Sequence, residues 1–378
     1  MTWVIFALVL MGLILIHESG HFVVARWCGM RVERFSIFFG KPLLRFTRGE
    51  TEFRIGWIPA GGYVKITGMT REELFPSPRT GHLGEDGQEA PLPAPPPPEV
   101  VARAYFAQKP WKRIATIFAG PAVNIILAVL AFAVAFWVGS PTLTPTDRVD
   151  QIEVGSPAAQ AGLRVGDRIV GVNGIGRLEN PDAFQQEVRG NANRPVALQI
   201  ERDGAPLTLD AVPRELGGPA GRAVRIGVSF AVDEGPVDRR GFLEGLGDGG
   251  EFAWDLTRLN FEAIGGAFTS EETRDQIGSV VGIGQAFETA QEDGFITVLR
   301  YIGYISLILG IFNLLPLLPL DGGHILFTII EKLKGSAISG AAYARASAVG
   351  LGLMLLLFFL VALPNDVGRL SGEGQLGR

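Results

Sequence analysis

The chain has 378 residues, 47% of them hydrophobic and only 19% charged, with a net charge of −5. That balance weighs against an ordinary soluble enzyme and fits a multi-span membrane protein carrying a soluble insert. The single cysteine, Cys28, excludes an intrachain disulfide and a cysteine-built zinc cluster, and no nucleic-acid partner is expected.

The first apolar stretch fills residues 1–30 and contains "LILIHESGHFVVARW" at 13–27. It lacks a basic leader and a small-residue cleavage site, so it reads as a retained transmembrane helix. Within it lies H-E-x-x-H, the pattern of a zinc site. His17 and His21 are four residues apart, about 40° around a helix of ~3.6 residues per turn, so their imidazoles share a face. Glu18 stands beside them, placed to act on a metal-bound water without ligating the metal. Matches to this pattern are common on exposed helices, but here the neighbours suit lipid. Ionisable groups in a span are functional candidates, with a packing role for buried polar residues as the alternative.

Residues 31–69 break short Phe-, Ile- and Val-rich runs with Gly-Lys-Pro, Arg-Gly-Glu and Pro-Ala-Gly-Gly. Strands are expected near 34–39, 43–48, 51–57 and 63–66, forming a membrane-associated β-hairpin region. Residues 70–110 read as a polar, proline-rich cytoplasmic linker, with "PLPAPPPP" at 91–98 and a solvated His82. A second transmembrane helix is expected over 111–139.

Residues 145–231 follow the order strand, Ala-rich helix, Gly turn, strand "DRIVGVNG", helix near 181–189, and a hairpin turning at Asp203-Gly204. Residues 232–296 form an acidic, Gly-rich extracytoplasmic linker with a short amphipathic helix around 250–268. The third apolar segment, 297–332, is too long for one plain helix. Pro316 and Pro319 break it, and Gly322-Gly323 loosens it again. A fourth transmembrane helix is expected over 341–364.

A catalytic zinc site needs a third protein ligand. Asp321, in "NLLPLLPLDGGHIL", is a carboxylate on unwound backbone at membrane depth, and such backbone lines a cavity. It is the expected third ligand, although it also suits an N-cap for a helix from Gly322 onward. His324 is expected to orient Asp321 or to face elsewhere.

Charge sets the expected orientation. Residues 26–113 carry 14 Lys+Arg against 9 Asp+Glu, whereas 139–296 carry 14 against 25. All six lysines lie within 26–113 or between the third and fourth spans. Those segments should face the cytoplasm, which places 145–231 outside the cytoplasmic membrane.

HESGH in the first span, the β-rich region, "AGPAVN" at 119–124, "GSPAAQAGLRVGDRIVGVNG" at 155–174 and "NLLPLLPLDGGH" at 313–324 together resemble a bacterial site-2 protease with a single PDZ domain. The resemblance implies an α-helical polytopic membrane protein of about four transmembrane helices with an inserted α+β PDZ domain. It implies one zinc ion, held by His17, His21 and Asp321, and a catalytic Glu18. Asn124 and Asn313 match family positions near the substrate, and interhelical hydrogen bonds are the competing role. The implied reaction is zinc-dependent hydrolysis in or near the membrane span of a single-span protein, such as an anti-sigma factor or remnant signal peptide. A peptide or substrate tail would bind the PDZ domain, with a steric filter as the alternative. A metal transporter and an inactive PDZ scaffold share parts of the pattern.

Overall fold

The computed structural model describes residues 2–75, 95–216, 223–267 and 280–359. In chain order the main elements are α1 (Thr2–Trp27), β1 (Val32–Arg48), β2 (Thr51–Ile66), α2 (Pro110–Val138), β3 (Ser140–Ile152), α3 (Pro157–Gln160), β4 (Arg168–Val172), β5 (Ile175–Gly176) and α4 (Pro181–Gly190). There follow β6 (Val196–Arg202), β7 (Ala205–Ala211), β8 (Arg214–Leu216), β9 (Ala223–Arg225), β10 (Val228–Asp238), α5 (Phe242–Ala267), α6 (Val280–Glu292), α7 (Phe295–Asn313), α8 (Asp321–Lys334) and α9 (Gly340–Leu357). The described residues divide into two units. One is drawn from Met1–Ala135, Phe242–Thr257 and Phe287–Leu356, the other from Phe136–Gly241, Arg258–Ala286 and Leu357–Arg378.

In the first unit, α1, α2 and α7 are long and apolar enough to cross a membrane. The fourth apolar helix, α9, is shorter among the described residues. The overlong third segment is two helices, α7 and α8, separated by turns over 314–320. Gly322 and Gly323 let α8 start against that turn: added Cβ atoms would lie 2.2 Å from the Leu314 carbonyl oxygen and 2.4 Å from the Leu318 nitrogen.

β1 and β2 each bend and pair twice. Residues 32–37 pair antiparallel with 62–66, and 44–48 pair antiparallel with 51–55. Residues 34–37 also pair with 52–55 in a register that ascends on both segments. The spatial order is therefore 44–48, 51–55, 32–37, 62–66. The four expected strands thus form one small sheet, with 62–66 at an edge beside α1. Aromatic contacts pin it to α1, with Phe22 5.4 Å from Phe35 and 5.6 Å from Phe53 between ring centroids.

Two expectations change here. His82 and residues 91–94 of the proline run lie outside the described residues, but the rest of the linker, 95–110, is not solvated throughout. Tyr105 is fully buried, its ring 4.9 Å from the Arg113 guanidinium. The local proline content masked that aromatic anchor. The amphipathic helix expected at 250–268 is α5, which begins eight residues earlier, at Phe242. Among its early glycines, Gly249 is a packing surface. A Cβ on Gly249 would lie 2.9 Å from both the Val129 carbonyl oxygen and the Ala133 nitrogen on α2.

The second unit holds a sheet of order β10-β3-β4-β6-β7, with β5 paired to β4. Its core gathers Val149, Ile169, Val172, Val196, Leu198 and Ile200, each at most 2% exposed. Burial of such side chains contributes about 1.5–3 kcal/mol apiece. The Ser156 hydroxyl caps α3 and Asn180 caps α4, accepting from Ala159 and Ala183 N–H. Asp203 and Gly204, at φ 52° and 79°, turn the β6–β7 hairpin where the sequence places it.

Candidate metal centre

His17 and His21 project from one face of α1 and are 6% and 7% exposed. Their Nε2 atoms are 3.2 Å apart. Asp321, the first residue of α8, points Oδ2 between them, 3.1 Å from His17 Nε2 and 3.3 Å from His21 Nε2. It does not cap α8; the N-cap is Leu320, and no side chain caps that end. The Asp321 carboxylate is thus aimed at the imidazoles. In a regular tetrahedron with bonds of ~2.0 Å, as for zinc bound by His and carboxylate, ligand atoms stand about 3.3 Å apart. The three donors already form one face of such a tetrahedron. Among the described residues this is the one cluster of three or more His, Cys, Asp or Glu side chains close enough to share an ion.

The space for an ion is made by α2. A Cβ on Gly120 would lie 2.3 Å from His21 Nε2 and 2.9 Å from His17 Nε2, so the missing side chain leaves a cradle over both nitrogens. Gly20 does the same for the helix crossing: its Cβ would meet the Ala119 carbonyl oxygen at 2.5 Å. Small residues let the two backbones close to this distance. The outer imidazole nitrogens are also held. His21 Nδ1 donates to the Thr116 carbonyl oxygen at 2.9 Å, while Asn124 Nδ2 lies 3.4 Å from His17 Nδ1. Such contacts orient metal-binding histidines.

Glu18 lies on the adjacent side of α1, in a groove of about 230 Å³ between this helix and the sheet. Leu10, Met11, Ile14 and Leu15 form its helix wall; Ile37, Phe38, Gly61 and Gly62 form the other. A Cβ on Gly62 would lie 3.4 Å from Glu18 Cγ, so the strand runs in contact with the glutamate. The site therefore joins three converging N/O donors, an apolar groove and a carboxylate between them.

The comparisons agree with this chemistry. The model of peptidase family M50 matches residues 5–357. The chain belongs to that family. This peptidase is 35% identical over 376 residues to a Brucella suis protein named as a zinc metalloprotease, covering 97% of this chain and 95% of the relative. A Rhizobium meliloti protein named likewise is 31% identical over 376 residues, covering 97% and 96%. Protease RseP of Yersinia pestis is 29% identical over 459 residues, covering 95% and 96%. The M50 chain is thus a membrane-integral zinc metalloendopeptidase.

Of the residues singled out from the sequence, the peptidase brings His17, His21, Asp321, Glu18 and Asn124 together. Asn313 Nδ2 donates back to the Leu309 carbonyl oxygen at 2.9 Å, at the end of α7. Asn124 touches a histidine of the cluster, not the groove. His324 lies against Tyr343, ring centroids 5.8 Å apart. Sequence reasoning missed Gly20, Gly120 and Thr116. The pair "AGP" at 119–121 and Gly20 within HESGH carried the only signal, small residues on two helices that must touch.

Proposed function

We propose that this peptidase is a site-2 protease that hydrolyses peptide bonds in or near the transmembrane segment of single-span membrane proteins, in regulated intramembrane proteolysis. The observation that carries the reading is a three-donor cluster at tetrahedral spacing, two donors from the membrane-type helix α1 and one from the start of α8. His17, His21 and Asp321 would hold the zinc. When bound, zinc supplies a Lewis acid for the scissile carbonyl and lowers the pKa of its water toward ~7. The Glu18 carboxylate takes the proton from the attacking water and returns it to the leaving amine nitrogen. Residues 62–66 are an outer strand of the sheet beside Glu18, where a substrate backbone can add as a further strand.

In this reading α1, α2, α7 and α9 are four spans of a bacterial cytoplasmic membrane, with the site toward the cytoplasm. Residues 145–231 are a PDZ domain outside it, taking a peptide or substrate tail, with size filtering as its alternative role. Its strand order, capped short helix and Asp203-Gly204 hairpin support that assignment. A relative in Salmonella typhimurium named Regulator of sigma-E protease RseP aligns over 465 positions with a chain of 378 residues, so at least 87 have no counterpart here. That surplus is the size of one small domain. In this reading the substrate is an anti-sigma factor or a remnant signal peptide.

The test is purified wild type beside Glu18→Gln, with bound zinc and cleavage of a single-span substrate measured on both. Wild type should cleave, and the variant should keep its zinc while losing about 10²–10⁴-fold in rate. Equal cleavage by both would remove Glu18 from the chemistry. Zinc flux in vesicles without cleavage would turn the site into a transport site.

A further inference from the structure

The two imidazoles are held differently at their outer nitrogens. His21 Nδ1 faces the Thr116 carbonyl oxygen, which can only accept, so that ring carries its proton on Nδ1. Its Nε2 lone pair is thereby directed toward Asp321 and His17. To share an ion, His17 must also present an Nε2 lone pair and so carry its proton on Nδ1. Among the described residues, the one hydrogen-bonding group at that nitrogen is the Asn124 amide, 3.4 Å away and fully buried.

The amide nitrogen faces His17, and Asn124 Oδ1 is buried without a hydrogen-bond partner. A donor at that position would force the His17 proton onto Nε2, into the space between the donors. The oxygen and nitrogen of an amide are nearly the same size, and their assignment follows from the surrounding network. A half-turn of the amide puts Oδ1 at His17 Nδ1. The NH2 group then takes the place of the oxygen, exchanging one unpartnered buried atom for another; the gain is at His17. The Ser306 hydroxyl donates to the Asn124 backbone carbonyl at 2.9 Å, anchoring this turn of α2 against α7.

Resting on the reading of His17, His21 and Asp321 as the zinc ligands, we propose that Asn124 is a positioning residue whose Oδ1 fixes His17 in the Nδ1–H tautomer. It is then an orienting partner of one ligand and not a substrate contact. A neutral acceptor suits the place because it selects a tautomer without adding charge to the cluster.

The chain has only four histidines, so selective ¹⁵N-histidine labelling gives an assignable spectrum of the whole protein. In zinc-loaded wild type, the His17 Nδ1–H should be protected from exchange by its acceptor and lose that protection in Asn124→Leu; an unprotected Nδ1–H in wild type would overturn the proposal. Zinc affinity, by competition with a chromophoric chelator, should fall about 10–100-fold in Asn124→Leu. Asn124→Asp keeps an acceptor and should stay within about threefold of wild type. Unchanged affinity in Asn124→Leu, or an equal fall in both variants, also overturns it. A raised KM with unchanged zinc affinity would return Asn124 to the substrate. Wild type that binds no zinc is a separate result, the failure of the metal-site reading itself.

Discussion

Gly120→Ala tests whether the space over the imidazoles is a metal cradle. The added methyl would stand 2.3 Å from His21 Nε2, 2.5 Å from its Cε1 and 2.9 Å from His17 Nε2. Non-bonded carbon contacts settle at about 3.5–4.0 Å, so the nearest ring atom must retreat by about 1.2 Å. His21 cannot swing freely, because its Nδ1 is bound to the Thr116 carbonyl oxygen on the same helix as the intruding methyl. Metal–ligand distances tolerate about 0.2 Å, so the shift is several times what the site can absorb. We expect the variant to lose most of its zinc and at least about 10²-fold in turnover. Helix propensity runs the other way, since Ala is favoured over Gly by about 1 kcal/mol, and a melting curve should show a folded protein. Gly12→Ala is the control, on α1 with open space around its Cβ position. Metal content by emission spectroscopy and cleavage of a single-span substrate read both variants. Full zinc occupancy and wild-type turnover in Gly120→Ala would refute the cradle.

Asp321→Asn keeps the volume and removes the anionic donor, so zinc affinity should fall by at least about 10-fold in chelator competition, with cleavage lost in parallel. Arg113 and Glu331 form a buried pair at 2.7 Å, and Glu331 also accepts the Ile338 N–H at 2.8 Å. Arg113→Met alone should destabilise by about 3–5 kcal/mol, and adding Glu331→Leu should recover much of it, read by thermal melting. In the second unit, hydrogen bonds from Arg202 and the Arg164 N–H hold the Asp167 carboxyl below the usual carboxylate range. Its stabilisation is fully present above the unfolded value of about 3.9 and is lost as pH falls through the lower folded value. Asp167→Asn should therefore cost about 1.5–3 kcal/mol at neutral pH and progressively less in acid, measured by hydrogen exchange of the β4 amides in the full chain.

The parts legible in the sequence are those set by short-range spacing. The four-residue step from His17 to His21 fixes a shared helix face, and Pro316 and Pro319 fix a break before Asp321, whereas Gly322 and Gly323 lie inside α8 and do not loosen it. Asp203-Gly204 announces its own hairpin. What escaped was decided by a distant partner. Gly120 matters because α1 crosses there, and Thr116 contributes only a carbonyl oxygen, which every residue has. Tyr105 sat in a proline-rich neighbourhood whose composition argued for solvent, yet Arg113 and the α1–sheet core enclose it. Gly249 of α5 matters because α2 crosses there, which local composition does not signal. The doubled pairing of residues 34–37 joins segments that local patterning can only describe one at a time.

The sheet edge limits what form of substrate the proposed site can accept. At Gly62 the strand touches α1, where an added Cβ would lie 3.4 Å from Glu18 Cγ and 3.9 Å from Ile14 Cγ2. That contact leaves no room for any chain between the strand and Glu18, so a substrate must approach along the outer edge of 62–66, where a helix about 10 Å across cannot pair. Phe22 holds the sheet against α1, its ring at 5.4 and 5.6 Å from Phe35 and Phe53. An extended chain adds to a strand edge at about 4.8 Å and exposes alternate carbonyls along its length. A helical segment instead keeps every carbonyl in its own ladder. The proposed substrate must therefore unwind before its carbonyl can face Asp321 and the two histidines. Segments weakened by Gly, Pro or β-branched residues reach that state at lowest cost. Selectivity at this centre would then follow how readily a membrane helix opens as much as which side chains line the groove.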